Sequence, residues 1–126
     1  MCRSFLSVWK DKEGNEVLDS RNNLGVVSIN IPRIALESES LEEFWKLLDK
    51  RCELAHEAIK IRIDSLKDLT SDYAPTLYQQ GAFGIRAKRG EKVFDKFFAN
   101  NRASVSLGYI GIHETVCHLM KIDKIT

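Results

Sequence analysis

One long helical periodicity constrains this 126-residue chain more than any other feature. From Leu41 onward, apolar side chains recur at Phe44, Trp45, Leu48, Cys52, Ala55, Ile59, Ile63 and Leu66. That spacing places them along one side of an α-helix. Glu43, Lys46, Asp49, Lys50, Glu53, Glu57 and Lys60 fill the other side. Ser40 and Glu43 stand at capping-box spacing, where the hydroxyl accepts from the third helical amide and the carboxylate reaches back. The pattern predicts a helix over 40–69, solvated on one side and packed along the Phe44/Leu48/Cys52/Ala55/Ile59 stripe. An apolar stripe of that length needs other elements to cover it.

The flanking sequence supplies strands. Residues 25–31 (GVVSINI) are rich in β-branched side chains and read as a buried strand. Pro32 ends it, because proline cannot donate to a ladder. Residues 103–107 (ASVSL) read as a second strand. Upstream, the charged stretch 10–15 contains Gly14 and reads as a hairpin turn between extended pieces 4–9 and 16–18. Residues 70–89 carry Pro75, Gly81 and Gly84 and read mostly as loop, with a short strand near 76–78. Helices are expected over 91–99, with Val93, Phe94, Phe97 and Phe98 on one side, and over 110–120. Strands separated by helices favour parallel crossovers and an α/β architecture.

Charge is close to balanced: nineteen Lys plus Arg against eighteen Asp plus Glu. That gives no electrostatic reason to propose a nucleic-acid or membrane partner. No apolar run approaches membrane-spanning length. No basic-then-apolar leader opens the chain, so no secretory signal is expected. Three widely spaced cysteines, Cys2, Cys52 and Cys117, form no CxxC pair. They suggest neither a disulfide framework nor a metal site, and a reducing cytoplasmic compartment is expected.

Local chemistry is sparse. There is no GxxxxGKS loop and no strand–GxGxxG–helix fingerprint. His113 and Cys117 stand four apart on one helix, but two ligands are too few for a metal site. His56 reads as solvated, Cys52 as a small core hydrophobe and the Phe94/Phe97/Phe98 set as core. Cys2 lies off any apolar stripe, beside Arg3. On local sequence alone it reads first as an unremarkable terminal cysteine.

Three strings change that reading. They are Cys2-Arg3-Ser4-Phe5-Leu6 followed by Val8-Trp9; Arg21-Asn22-Asn23-Leu24-Gly25-Val26-Val27 running on through Ile29-Asn30-Ile31-Pro32-Arg33-Ile34-Ala35-Leu36-Glu37; and Arg102-Ala103-Ser104-Val105-Ser106-Leu107-Gly108-Tyr109-Ile110-Gly111-Ile112-His113-Glu114. In content, order and separation they resemble the anaerobic, oxygen-sensitive (class III) ribonucleoside-triphosphate reductases. The stretch Phe44-Trp45-Lys46-Leu47-Leu48-Asp49 resembles them too. The likeness runs to about Cys117.

The resemblance implies a partial ten-stranded α/β barrel of the ribonucleotide reductase and glycyl-radical enzyme type. A loop threads such a barrel and presents a cysteine at its tip, and Cys2 matches that cysteine. In the family, a glycyl radical near the C-terminus oxidises it to a thiyl radical. The thiyl removes the 3′ hydrogen of a ribonucleoside triphosphate, the 2′ hydroxyl leaves as water, and formate supplies the reducing equivalents in many members. A thiol suits this step because its S–H bond is close in strength to a ribose C–H. A loop inside a barrel shields the reactive intermediate from water and oxygen. Asn23 matches a family residue facing substrate, where its amide can hold a ribose hydroxyl or formate. Read locally, Asn23 serves equally as a turn residue opening the strand. Asn22, Gly108 and Gly111 are further candidate substrate contacts. The two glycines are expected at a strand-to-helix junction, where they suit either backbone amides approaching substrate or close strand–helix packing. His113 and Glu114 match the pattern without an assignable role.

On this reading the chain is a single fragment, 1–126, of the catalytic barrel: cysteine loop and hairpin 1–24, strand 25–31, helix 40–69, helix 91–99, strand 103–107 and helix 110–120. Met1 stands where the family has a glycine before the loop cysteine. The nucleotide-regulatory region, the zinc-binding cysteines and the glycyl-radical segment of the family lie outside it. No cofactor is expected on the chain itself. Its expected partners are a ribonucleoside triphosphate, the remaining parts of the reductase and a radical-SAM activating enzyme. The alternative is a non-catalytic interaction protein, or a split-gene half that assembles with other reductase fragments. Flanking DNA that encodes the companion pieces distinguishes the enzyme segment from the interaction protein.

A slice of a barrel has two open strand edges, and at least some of Val26, Ile29, Val105 and Leu107 are expected to be partly uncovered. The isolated 126-residue chain is therefore predicted to self-associate and to show no reductase activity even with formate and an activating enzyme. In sedimentation velocity, a monodisperse monomer with a cooperative, high-temperature melt contradicts this.

Overall fold

The computed structural model describes residues 8–18, 21–100 and 102–123. It is mixed α/β. Strand β1 (Asn22–Asn30) is followed by the short helix α1 (Ile31–Glu37) and the long helix α2 (Leu41–Leu66). A 3-10 turn (Ser71–Tyr73) and helices α3 (Pro75–Tyr78) and α4 (Phe94–Phe97) lead to strand β2 (Ala103–Ile110) and helix α5 (Ile112–Met120). The two strands are neighbours in a parallel sheet. The chain divides into two compact units, residues 1–26 with 60–106 and residues 27–59 with 107–126.

In the second unit, local sequence explains each helix start. The Asn30 side chain caps α1, its Oδ1 accepting from Arg33 N at 3.2 Å. Pro32 sits in the first turn, where its missing N–H costs nothing. Ser40 Oγ accepts from Glu43 N at 3.2 Å. The Glu43 carboxylate reaches back to Glu39 N at 2.7 Å, one residue beyond the Ser40 N–H a capping box implies. Glu42 and Glu43 in the first turn also favour the positive end of the helix dipole. The expected stripe points inward. Phe44 and Ala55 are buried with Ile29, Ile34 and Ala35, and Leu48 and Cys52 pack against them. Trp45 is 55% exposed and Leu41 58% exposed, so the stripe is narrower than the periodicity suggests. Trp45 meets only the edge of Phe44, ring centroids 5.2 Å apart.

The first unit has its own core of Tyr78, Ala87, Val93, Phe97 and Phe98. Tyr78 and Phe97 meet edge to face at 5.1 Å, the geometry that aligns a ring edge with a ring face. The expected helix over 91–99 narrows to α4. The expected strand near 76–78 is instead helix α3, with Pro75 preset in its first turn. Buried Ser71 organises the loop: its hydroxyl donates to Lys88 O at 2.6 Å and accepts from Gln79 Nε2 at 3.1 Å. A bridge joins Thr70 and Lys92. The hairpin is present: Val17 N donates to Trp9 O at 3.0 Å. At its turn, Asp11 Oδ1 accepts from Asn15 N at 2.8 Å and Glu13 N at 3.0 Å. The Asn15 amide holds the exposed Asp11 carboxyl below its ordinary range.

Helix α1 was not anticipated, although Asn30, Pro32 and the Ile31/Ile34/Ala35 spacing carried its signal. Of the four strand residues named above, Ile29 is buried in the second unit's core. Val105 and Leu107 remain 40% and 47% exposed.

Gly111 opens α5 in the left-handed region, at φ 77°. A Cβ there runs into the ring of Pro32 on α1. Gly111→Ala is therefore expected to destabilise this unit by about 2–4 kcal/mol, from backbone strain plus overpacking. The check is a lowered urea midpoint by circular dichroism; an unchanged midpoint refutes the packing role.

Candidate functional site

Cys2 lies outside the described residues, so the site is built from its remaining candidates. Asn22 and Asn23 open β1 and have separate partners. Asn22 Nδ2 donates to Phe97 O at 3.1 Å, tying the strand to the aromatic core of its own unit. Asn23 Nδ2 donates to Ser106 Oγ at 3.0 Å and lies 3.3 Å from Ser104 Oγ. Its Oδ1 accepts from Gly25 N at 2.7 Å. Gly25 adopts φ 136°, which L side chains rarely do, and the Arg62 guanidinium covers it. The result is a half-buried amide–hydroxyl cluster on the sheet, built from residues 23, 104 and 106.

The glycines separate. Gly108 lies within β2 rather than at a strand-to-helix junction, because the strand runs on to Ile110. Gly111 does stand at the junction, and its contact with Pro32 gives it a packing role. Nothing in the local sequence marks Ser104 and Ser106 as more than strand residues within the third string. Their alternation in ASVSL signals only that positions two apart share a face. What they face required the partner strand.

Near the cluster, Arg21 Nε donates to Arg102 O at 3.4 Å, and the Arg102 guanidinium lies 5.4 Å above the Trp9 ring, within cation–π range. These contacts attach the hairpin to the start of β2 inside the first unit. The second unit carries a separate groove of about 440 Å³ lined by Val27, Ile29, Ile34, Leu54 and the two arginines Arg33 and Arg51. Both arginines pair with Glu37, at 2.7 and 3.3 Å. Arg33 above all, with Arg51 helping, holds the Glu37 carboxyl below its ordinary range. With an apolar wall and its cations already engaged, this groove is a poorer polar-ligand site than the asparagine–serine cluster.

His113 Nε2 and Cys117 Sγ are 3.6 Å apart on α5. No group of three or more metal-ligating side chains occurs among the described residues. No described helix is long and apolar enough to cross a membrane.

The fold and cluster define a mixed α/β segment with a hydrogen-bonded carboxamide held on a parallel sheet. The family model for anaerobic ribonucleoside-triphosphate reductase matches residues 1–125. The chain is 55% identical over 118 residues to the anaerobic ribonucleoside-triphosphate reductase of Enterobacteria phage T4, covering 90% of this chain and 19% of that protein. It is 53% identical over 116 residues to the enzymes of that name from Salmonella typhimurium and Escherichia coli, covering 91% of this chain and 16% of each. The chain belongs to the anaerobic ribonucleoside-triphosphate reductase family, and it spans less than a fifth of the length of these relatives.

The two asparagines are expected to behave differently when truncated. Asn22→Ala removes a hydrogen bond to Phe97 O and should cost about 1 kcal/mol of stability, while leaving the kinetic constants of a full-length reductase unchanged. Urea denaturation together with steady-state kinetics checks this. A loss of turnover without a loss of stability places Asn22 in the site instead.

Proposed function

We infer that this chain contributes the thiyl-radical cysteine and a polar, substrate-facing cluster to the catalytic barrel of a ribonucleoside-triphosphate reductase. The observation that carries the reading is the family match through residues 1–125, which includes Cys2 and Asn23. The parallel pair β1–β2 takes the place of two neighbouring strands of the family's ten-stranded barrel, and the segments outside this chain supply the others. A reducing, cytoplasmic setting and a role in deoxyribonucleotide synthesis, and so in DNA replication, accompany this reading.

The reaction assigns each residue a task. The glycyl radical, on a segment beyond this chain, supplies the oxidising equivalent. The Cys2 thiol gives up its hydrogen atom to that radical and, as a thiyl, takes the 3′ hydrogen of the ribose. The Asn23 carboxamide, its Nδ2 protons held by Ser104 and Ser106 and its Oδ1 by Gly25 N–H, orients a ribose hydroxyl through the second lone pair of Oδ1 while the 2′ hydroxyl departs as water. Formate provides the two electrons, leaving as carbon dioxide. Positioning dominates what the protein adds to such a step, because the radical itself supplies the reactivity. A carboxamide locked by three hydrogen bonds suits that role. An activating enzyme generates the glycyl radical, and the zinc-binding cysteines of the family lie on other segments.

In a full-length reductase containing this segment, Cys2→Ser should abolish deoxynucleotide formation while the glycyl-radical signal in electron paramagnetic resonance persists. Serine keeps the shape, but its O–H bond is too strong for the transfer. Turnover by the serine variant sinks the thiyl assignment.

A further inference from the structure

The direction of the hydrogen bonds in the asparagine–serine cluster follows from one group. Gly25 N–H can donate and cannot accept, so the Asn23 atom 2.7 Å away is the carbonyl oxygen Oδ1. The opposite amide orientation sets donor against donor. Nδ2 therefore faces the serines, 3.0 Å from Ser106 Oγ and 3.3 Å from Ser104 Oγ. An amide nitrogen only donates, so both serine oxygens accept. Each serine's own proton is consequently turned away from Asn23. A serine alone leaves this choice open, since a hydroxyl both donates and accepts. The backbone amide of Gly25 makes the choice for all three side chains.

The cluster is half-buried, so a ligand can reach it. A surface with this polarity takes an oxygen that accepts. We propose that Ser106 belongs to the substrate-binding site, fixing the Asn23 carboxamide through its oxygen while its hydroxyl donates to an oxygen acceptor of the bound reactants. Ser104 acts as a positioning residue on the same amide nitrogen. The acceptor is the carboxylate of formate or an oxygen of the ribose. This inference rests on the reading of Asn23 as a substrate-facing residue and adds the third string, Arg102–Glu114, to the same cluster.

The test is steady-state kinetics of Ser106→Ala in a full-length reductase containing this segment, with formate and ribonucleoside triphosphate varied separately and the glycyl-radical content measured alongside. The expected result is a KM raised about tenfold or more for one of the two reactants, the effect of removing a hydrogen bond to a charged or polarised oxygen. Radical content should not change. A rise confined to formate identifies the carboxylate, and a rise confined to the nucleotide identifies the ribose oxygen. Ser106→Thr and Ser106→Val provide the control should alanine impair folding, because they differ only by hydroxyl against methyl. Threonine should keep the parent KM and valine should not. Unchanged KM values in both arms, or equal impairment by threonine and valine, overturn the proposal. Unchanged KM values beside an inactive Cys2→Ser enzyme remove only the Ser106 inference. Turnover by Cys2→Ser removes the underlying reading of the site.

Discussion

The side-by-side pairing of β1 with β2 is the constraint on which the rest depends. Asn23 and Ser106 touch although 83 positions separate them. Closing a loop of that length costs chain entropy, which must be offset by what the closure brings together. In the first unit the return is the aromatic core with Leu24 and Ala103 against it, and the hydrogen bond from Asn22 to Phe97 O. In the second unit it is the cluster around Ile29, Ile34, Phe44 and Ala55. The parallel direction is what obliges the chain to spend so many residues between the strands, since parallel neighbours cannot be joined by a tight turn.

The candidate site is a consequence of that pairing rather than a pocket placed on it. The carboxamide of Asn23 gains two hydroxyl partners only when β2 lies alongside β1. Gly25 is the third member because it alone tolerates the backbone angle that turns its N–H toward Oδ1 while an arginine lies over it. Such a satisfied polar cluster gives a unique amide orientation.

Val105, Leu107 and Tyr109 on β2 stay substantially exposed beside two well-packed clusters. The ion pairs contribute little here. Those of Arg33 and Arg51 with Glu37 are exposed and screened, so their role is to order side chains at the edge of a groove rather than to stabilise the unit.

Local patterns in the sequence determined the long helix, its Ser40 cap, the hairpin at Asp11–Asn15 and the existence of both strands, because each rests on interactions within a few residues. The strings around Cys2, Asn23 and Ser104–Glu114 also carried the family, since long runs of low degeneracy leave few alternatives. Local reading missed α1, whose seven residues are too few for periodicity to stand out. It misread 76–78 as a strand, because short apolar runs bounded by proline suit either state. The strand-to-helix placement of Gly108 failed because a sheet partner extends β2 to Ile110. Tertiary structure alone decided which of two adjacent asparagines holds the core and which meets the serines. That choice depends on what lies across the sheet, and no property of Asn22 or Asn23 by itself encodes it.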